Sequence, residues 1–267
     1  MISEPALDWY SPTLQAGADE VLGTLSELGK PRPCRGLYSY LHGMEFLRPD
    51  GEAVCRAFWG GVNGERSVHV QCSGSSTGRA VRLIRATWPE HRVARADACA
   101  DWCEPDVWRP LSKAALGVRK EFGLASRLHG DWIARQDGRT IYLGASTSYV
   151  QARLYEKGKQ LGADPGWVRL EVQVRPAGEG KANLAGVEPA ALFSVTPWTR
   201  ALSERVGIPE LEAVRIRDPK QPSDDERAFE YMLRQYGRLL RRRRESVGSW
   251  AELGQELGAR LGSKDDR

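Results

Sequence analysis

No apolar run in this 267-residue chain is long enough to cross a membrane, and no secretory signal precedes its first polar residues. The expectation is a cytoplasmic protein with no membrane partner. Cysteine is scarce and scattered: Cys34, Cys55, Cys72, Cys99 and Cys103 include no CxxC pair. Cys99 and Cys103 lie close together, but no second ligand pair at zinc-like spacing follows. Reduced thiols therefore fit better than a zinc module or a disulfide scaffold. A P-loop is missing too. Residues 74–79 are rich in glycine and serine but lack its lysine and spacing, which argues against ATP hydrolysis. They read as a strand-to-helix turn capped by Ser76 or Thr77, whose amides could meet a phosphate at the helix N-terminus. Charge of one sign is also in short supply. With a net charge of only +4, any affinity for nucleic acid must come from local clusters.

Hydrophobic residues make up 41% of the chain and charged residues 28%, an ordinary globular balance with enough length for one large domain or two small ones. Residues 7–13 read as a short strand broken at Pro12, and 18–28 as a helix ended by Gly29 and a loop holding Pro31 and Pro33. Alternation predicts antiparallel strands at 38–42, 54–59 and 67–72. The spacing of Val81, Leu83, Ile84 and Trp88 predicts a helix from Thr77 that Pro89 stops. A strand over 93–101, a helix over 110–122 and hairpin strands near 132–135 and 140–144 follow. Residues 189–206 read as a helix interrupted at Pro197, and 218–223 as a linker. Beyond it, Phe229, Met232, Leu233, Tyr236, Leu239 and Leu240 recur at helical spacing, after a capping box of Ser223 and Glu226. A second short helix covers 249–261. The class expected is α+β, with mostly antiparallel sheets, helices packed on one side and a helical C-terminal tail. The organisation expected is a main domain over 1–215, with pseudo-repeated sheet-plus-helix halves of about 1–105 and 106–215, and a helical extension over 223–262.

Two runs carry chemistry on their polar faces. Strand alternation puts Arg153, Tyr155 and Lys157 on one face of 150–157, and Arg169, Glu171, Gln173 and Arg175 on one face of 167–175. The bland reading is an exposed strand face, where tyrosine and long cations are common. The functional reading is a tyrosine nucleophile whose weakly acidic phenol is aided by the flanking cations. The 93–101 strand repeats the same Arg-x-acid logic with Arg95 and Asp97. If these strands are neighbours, Asp97 and Glu171 converge as hard oxygen ligands for Mg²⁺ or Mn²⁺, with Glu156 and Asp101 as further candidates. Otherwise the acids are structural ion pairs. His69-Val70-Gln71 is a weaker metal candidate, with an ordinary polar strand face as the alternative. Six arginines, Arg234, Arg238 and Arg241–Arg244, load the C-terminal helix and read either as a solvated face or as a nucleic-acid contact.

The combination of Asp8-Trp9-Tyr10-Ser11, His69-Val70-Gln71-Cys72, Arg95-Ala96-Asp97, Tyr142-Leu143-Gly144, Arg153-Leu154-Tyr155-Glu156-Lys157, Arg169-Leu170-Glu171 and Gln235-Tyr236-Gly237 resembles the replication initiation factor (Rep-trans) family, over about residues 7–260. The filamentous-phage type looks nearer than the initiators of Gram-positive rolling-circle plasmids. One departure is Ala145-Ser146-Thr147-Ser148, where basic residues are common in that family. The resemblance implies a duplicated antiparallel sheet and a site-specific, metal-dependent DNA nickase. Tyr155 matches the nucleophile, which would keep the 5′ end as a phosphotyrosine and leave a 3′ hydroxyl for polymerase. Arg153 and Lys157 would assist it. Asp97 and Glu171 match acidic strand positions that would bind Mg²⁺ or Mn²⁺, with Glu156 as a further metal candidate. Arg95, Arg169, Arg234, Arg238, Arg241 and Arg242 would contact DNA. The partners implied are double-stranded origin DNA, single-stranded DNA, and a host helicase and polymerase; the oligomeric state stays open, a homodimer included. The alternative from a different class is a DNA-binding regulator or degenerate initiator that does not nick.

Overall fold

The computed structural model describes residues 2–61, 67–209, 216 and 224–262. The chain divides into two compact units, Met1–Pro219 and Lys220–Arg267.

The first unit is built on a ten-stranded, wholly antiparallel sheet. In chain order its elements are β1 (Ala6–Leu14), α1 (Ala18–Leu25), β2 (Lys30–Arg35), β3 (His42–Leu47), β4 (Ala53–Trp59), β5 (Val68–Ser73) and α2 (Thr77–Thr87). There follow β6 (Arg92–Cys103), α3 (Trp108–Glu121), β7 (Ser126–Gly130), β8 (Arg139–Leu143), β9 (Val150–Tyr155), α4 (Lys157–Leu161) and β10 (Trp167–Val174). Short α5 (Gly180–Asn183), a 3₁₀ turn (Pro189–Ser194) and α6 (Pro197–Val206) complete the unit.

The strand order is β2-β3-β4-β5-β1-β6-β10-β9-β8-β7. From the centre outward, the first half runs β1, β5, β4, β3, β2 and the second β6, β10, β9, β8, β7. Each half therefore starts with a central strand, leaves through a helix to the far edge, and returns strand by strand. This duplication divides the chain just before β6, whereas the sequence reading divided it near 105. The central β6 pairs with β1 on one side and β10 on the other, so alternation within it cannot say which half owns it.

One sheet face is apolar because alternate residues are. Ala96, Ala98 and Ala100 of β6 and Val168, Leu170, Val172 and Val174 of β10 are buried in one continuous core. On that side α2 packs on β1, β4 and β5, α3 on β8 and β9, and the 3₁₀ turn on β6 and β10. Alanines on the central strand let the backbone of the covering layer approach closely. The other face carries the polar alternates.

Several elements differ from the sequence reading for local reasons. β1 runs through Pro12 rather than breaking there, because the register shifts between Ser11 and Pro12 and the missing N–H falls at the irregularity. The segment of Pro31 and Pro33 is β2, an edge strand, where a lost donor is tolerated. Residues 38–41 and 132–135 form turns, and the hairpin strand is β7 instead. Pro197 starts α6 at its first turn, behind a reciprocal cap of Thr196 and Thr199. At the head of α2, Ser76 makes no side-chain cap and Thr77 Oγ1 donates to the Asp8 carbonyl. The expected linker over 218–223 and the Ser223/Glu226 capping box lie outside the described residues.

The second unit contains α7 (Asp224–Val247) and α8 (Trp250–Gly262). Arg243 and Arg260 both pair with Glu256. Among the described residues, no helix is long and apolar enough to cross a membrane.

Candidate active site

The open polar face brings β9, β10 and β6 side by side. Register pairs Arg153 with Glu171, Tyr155 with Arg169, and Gln173 with Asp97. Residues as far as 76 positions apart in sequence, Asp97 and Gln173, thus share one surface. Directly opposed side chains on adjacent strands project to the same side.

At its centre, the Tyr155 hydroxyl donates to Glu171 Oε1 at 2.5 Å. The other Glu171 oxygen accepts from Arg153 Nη2. The Arg153 guanidinium also lies 4.6 Å from the Tyr155 ring centroid, and Lys157 Nζ lies 5.5 Å from it. Tyr155 and Glu171 are buried, at 4% and 3% exposure. Burial pushes the phenol well above its ordinary range, the Glu171 charge adds to that, and Arg153 and Arg169 oppose it. Burial likewise raises the Glu171 carboxyl, against the pull of Arg153 and the Tyr155 hydrogen bond. The phenol proton thus points at a carboxylate that a guanidinium also binds.

A cavity of about 190 Å³ opens beside this pair, lined by Arg95, Asp97, Tyr142, Arg153, Glu171 and Gln173 among others. Asp97 accepts from Arg95 at 2.8 and 2.5 Å and from Gln173 Nε2 at 3.1 and 3.2 Å. Asp97 and Glu171 therefore face one space. Among the described residues, no group of three His, Cys, Asp or Glu converges to hold a metal ion. Both carboxylates already carry partners, Asp97 from Arg95 and Gln173 and Glu171 from Arg153 and Tyr155, so a cation there would have to replace an arginine and take its remaining ligands from phosphate and water.

Glu156 is not part of that pair. It accepts from the Arg139 side chain at 2.8 and 2.9 Å and backbone at 2.9 Å, and pairs with Lys159 at 3.2 Å. These bonds hold its carboxyl below the usual range although burial opposes them. With Tyr155 it lines a separate cleft of about 490 Å³ that also contains Asp131 and Asp137. Lys157 does not continue the strand face, because β9 ends at Tyr155 and Lys157 opens α4.

Arg169 is locked in an ion-pair cluster, with Nε and Nη2 each 2.7 Å from Asp101 and Nη1 2.7 Å from Asp8. Trp167 Nε1 donates to the same Asp101 at 2.7 Å. Asp8 is a neighbour that alternation missed: the register of β1 shifts between Leu7 and Trp9, so Asp8 is the extra residue of a bulge. Its signal in the sequence was its place in Asp8-Trp9-Tyr10-Ser11.

His69 and Gln71 lie on the open face of β5, apart from the Asp97–Glu171 pair. His69 Nδ1 is 3.3 Å from Thr13 Oγ1, and Gln71 accepts from Tyr38. Tyr10 is in the core, its hydroxyl bonded to His91 and the Ala185 carbonyl, and burial pushes its phenol to about 12. Tyr149 bonds to the Ile216 carbonyl, while Tyr142 lies on the open face beneath Arg127. In the second unit Arg234, Arg238, Arg241 and Arg242 are exposed along α7.

No protein-family model matches the chain, and no curated protein matches it. Among solved structures it is similar to the rolling circle replication initiator protein from Geobacillus stearothermophilus, with a TM-score of 0.50 and 22% identity over 66% of this chain and 75% of that chain. That likeness is one of fold, an antiparallel sheet with helices.

Proposed function

We propose that the protein is a rolling-circle replication initiator that nicks origin DNA through Tyr155. The observation that carries this reading is the Tyr155–Glu171–Arg153 arrangement on an open, polar sheet face. The fold likeness to a rolling circle replication initiator supports it.

In this reading the Tyr155 oxygen attacks a backbone phosphorus as its proton passes to Glu171. The bond from phosphorus to the 3′ oxygen breaks. The 5′ end stays on Tyr155 as a phosphotyrosine, and the 3′ oxygen leaves and takes a proton from solvent. One phosphodiester replaces another, so no nucleotide cofactor is needed. Arg153 and Arg95, both lining the cavity, offset charge on the phosphate as it develops. Lys157, at the start of α4, adds positive charge over the phenol. Asp97 and Glu171 would hold Mg²⁺ or Mn²⁺, whose role would be to neutralise phosphate charge. Glu156, tied to Arg139 and Lys159, is left out of that set. Arg169, opposite Tyr155 on β10, serves by tying that strand to Asp101 of β6 and Asp8 of β1, while Arg234, Arg238, Arg241 and Arg242 supply contacts to the DNA backbone. The partners are origin duplex, the single strand displaced from it, and a host helicase and polymerase, in a reducing cytoplasm that suits free cysteines.

The test is incubation of the protein with supercoiled origin DNA and Mg²⁺ or Mn²⁺. The expected outcome is nicked circles with protein attached at the 5′ end, and loss of both with Tyr155→Phe. Equal nicking by Tyr155→Phe would transfer the role to Tyr142, which also faces the cavity. The burial and raised pKa of Tyr155 favour one second reading, a DNA-binding protein that does not nick. It predicts salt-sensitive binding and intact circles under all metal conditions.

A further inference from the structure

The duplicated sheet makes a second site comparable with the first. In the second half, register sets Arg153 against Glu171 and Tyr155 against Arg169. At the corresponding places of the first half, Arg56 faces Gln71 and Phe58 faces His69. A phenyl ring stands where the phenol is, and an amide where the carboxylate is. The phenol and the carboxylate of the first site are both missing there, but aromatic surface is present. Phe58 is fully buried yet does not belong to the core under the helices; it lies on the open side.

A cleft of about 430 Å³ adjoins it, lined by Trp9, Tyr38, Tyr40, His69 and Arg95, a size typical of small-ligand pockets (~300–1,000 Å³). Its rings are ordered as a platform: Tyr40 lies parallel to His69 at 6.1 Å and 12°, and Tyr38 meets His69 edge-on at 5.5 Å. On the opposite wall, Arg95 stacks on Trp9 at 4.5 Å. Burial, with Lys181 nearby, lowers His69 to about 4, so its imidazole is a neutral ring near pH 7. The segment that carries the two tyrosines is held in an unfavourable conformation. Tyr38 and Ser39 have φ of 55° and 67°, and a Cβ on Gly36 would meet the Tyr40 carbonyl oxygen at 2.2 Å. Arg95 lines both this cleft and the cavity of Glu171. From β9 to β1 and β5 the separation is three to four strand steps, about 14–19 Å.

We infer that this cleft binds an unpaired nucleobase of the single strand whose phosphate lies at Tyr155, by stacking against Tyr40 and His69. The inference rests on the nicking reading for the identity of the strand. Stacking suits the site because every base has a flat face and the cleft presents parallel rings. Arg95 would meet the backbone between the two places. The first half of the sheet would thus hold the strand while the second cuts it.

The experiment uses full-length Tyr155→Phe protein and two labelled probes: an oligothymidylate, and a strand of equal length made of abasic residues, which keeps the phosphates and removes the bases. Fluorescence anisotropy should show that adding Tyr40→Ala weakens oligothymidylate binding about tenfold, that Tyr40→Phe restores it, and that abasic binding is unchanged by either. Tyr40 is half-exposed, and a matched thermal midpoint confirms that the variant is folded. The inference is overturned if Tyr40→Ala and His69→Ala bind oligothymidylate as tightly as the parent, if the loss is equal for the abasic strand, or if the parent ignores oligothymidylate. Because binding is read without cleavage, a failure here is distinct from nicking by Tyr155→Phe, which would refute the nucleophile instead.

Discussion

A tyrosine with a raised pKa is a poor nucleophile until something takes its proton, and Glu171 is the group in place to do so. The same carboxyl is itself raised by burial, so it must ionise before it can act. Below its raised pKa Glu171 holds a proton and cannot accept another; above it the carboxylate is available. Nicking is therefore expected to climb with pH along a limb that Glu171 sets. Glu171→Gln keeps the shape and a hydrogen bond to Tyr155 but removes the base. It should lower the single-turnover nicking rate by about 10²–10⁴-fold and flatten that acidic limb. A reduced rate with an unchanged limb would assign the proton to another acceptor. Alternation exposed these residues as candidates, because Arg153, Tyr155, Arg169, Glu171 and Gln173 fall on the polar sides of their strands. Their partners were not legible: whether Arg153 or Arg169 would neutralise Glu171 depends on register.

Elements end where local bonds end them. β9 stops at Tyr155 because Glu156 turns away to satisfy Arg139 and Lys159, and the next residues wind into α4. This moves Lys157 off the strand face, a change that strand alternation could not anticipate. Gly158 is needed there, since a Cβ would meet the Asp164 carbonyl oxygen at 1.6 Å. Periodicity makes α7 legible as an amphipathic helix, and its Arg234, Arg238, Arg241 and Arg242 are exposed. Their task is an electrostatic one in the proposed function. Replacing Arg234, Arg238, Arg241 and Arg242 together with alanine should weaken duplex binding at low salt. It should also reduce the slope of log affinity against log salt by up to about 3–4, near 0.9 for each phosphate that is no longer neutralised. An unaltered slope, measured by filter binding over a salt series, would show that this helix face does not touch DNA.

At the scale of the molecule, the two halves of the first unit share one sheet and one continuous core, joined along the β1–β6 ladder. Such halves have no separate interior to fall back on. Calorimetry should therefore show one cooperative transition for the first unit, and Val70→Ala in one half or Val172→Ala in the other should lower that same transition, each by about 1–3 kcal/mol. Two transitions, each moved by one of the substitutions, would mean that the halves fold independently.

Side-chain order along the chain determined most of the local structure: the faces of β6, β9 and β10, the amphipathic α2, α3 and α7, and the antiparallel α+β class. It also singled out Tyr155, because a phenol among cations on a strand is a chemical pattern visible in one short segment. Tertiary structure alone decided which strands are neighbours. β6 meets β10 with Asp97 and Gln173 bonded across 76 residues of sequence, and β1 pairs with β6 where the halves join, with a bulge that turns Asp8 toward Arg169. Pairing over that distance is set by core packing and closure of the whole sheet, and strand periodicity carries no record of it. For the same reason Asp97 joins Glu171 at one cavity while Glu156, adjacent to Tyr155 in sequence, faces another.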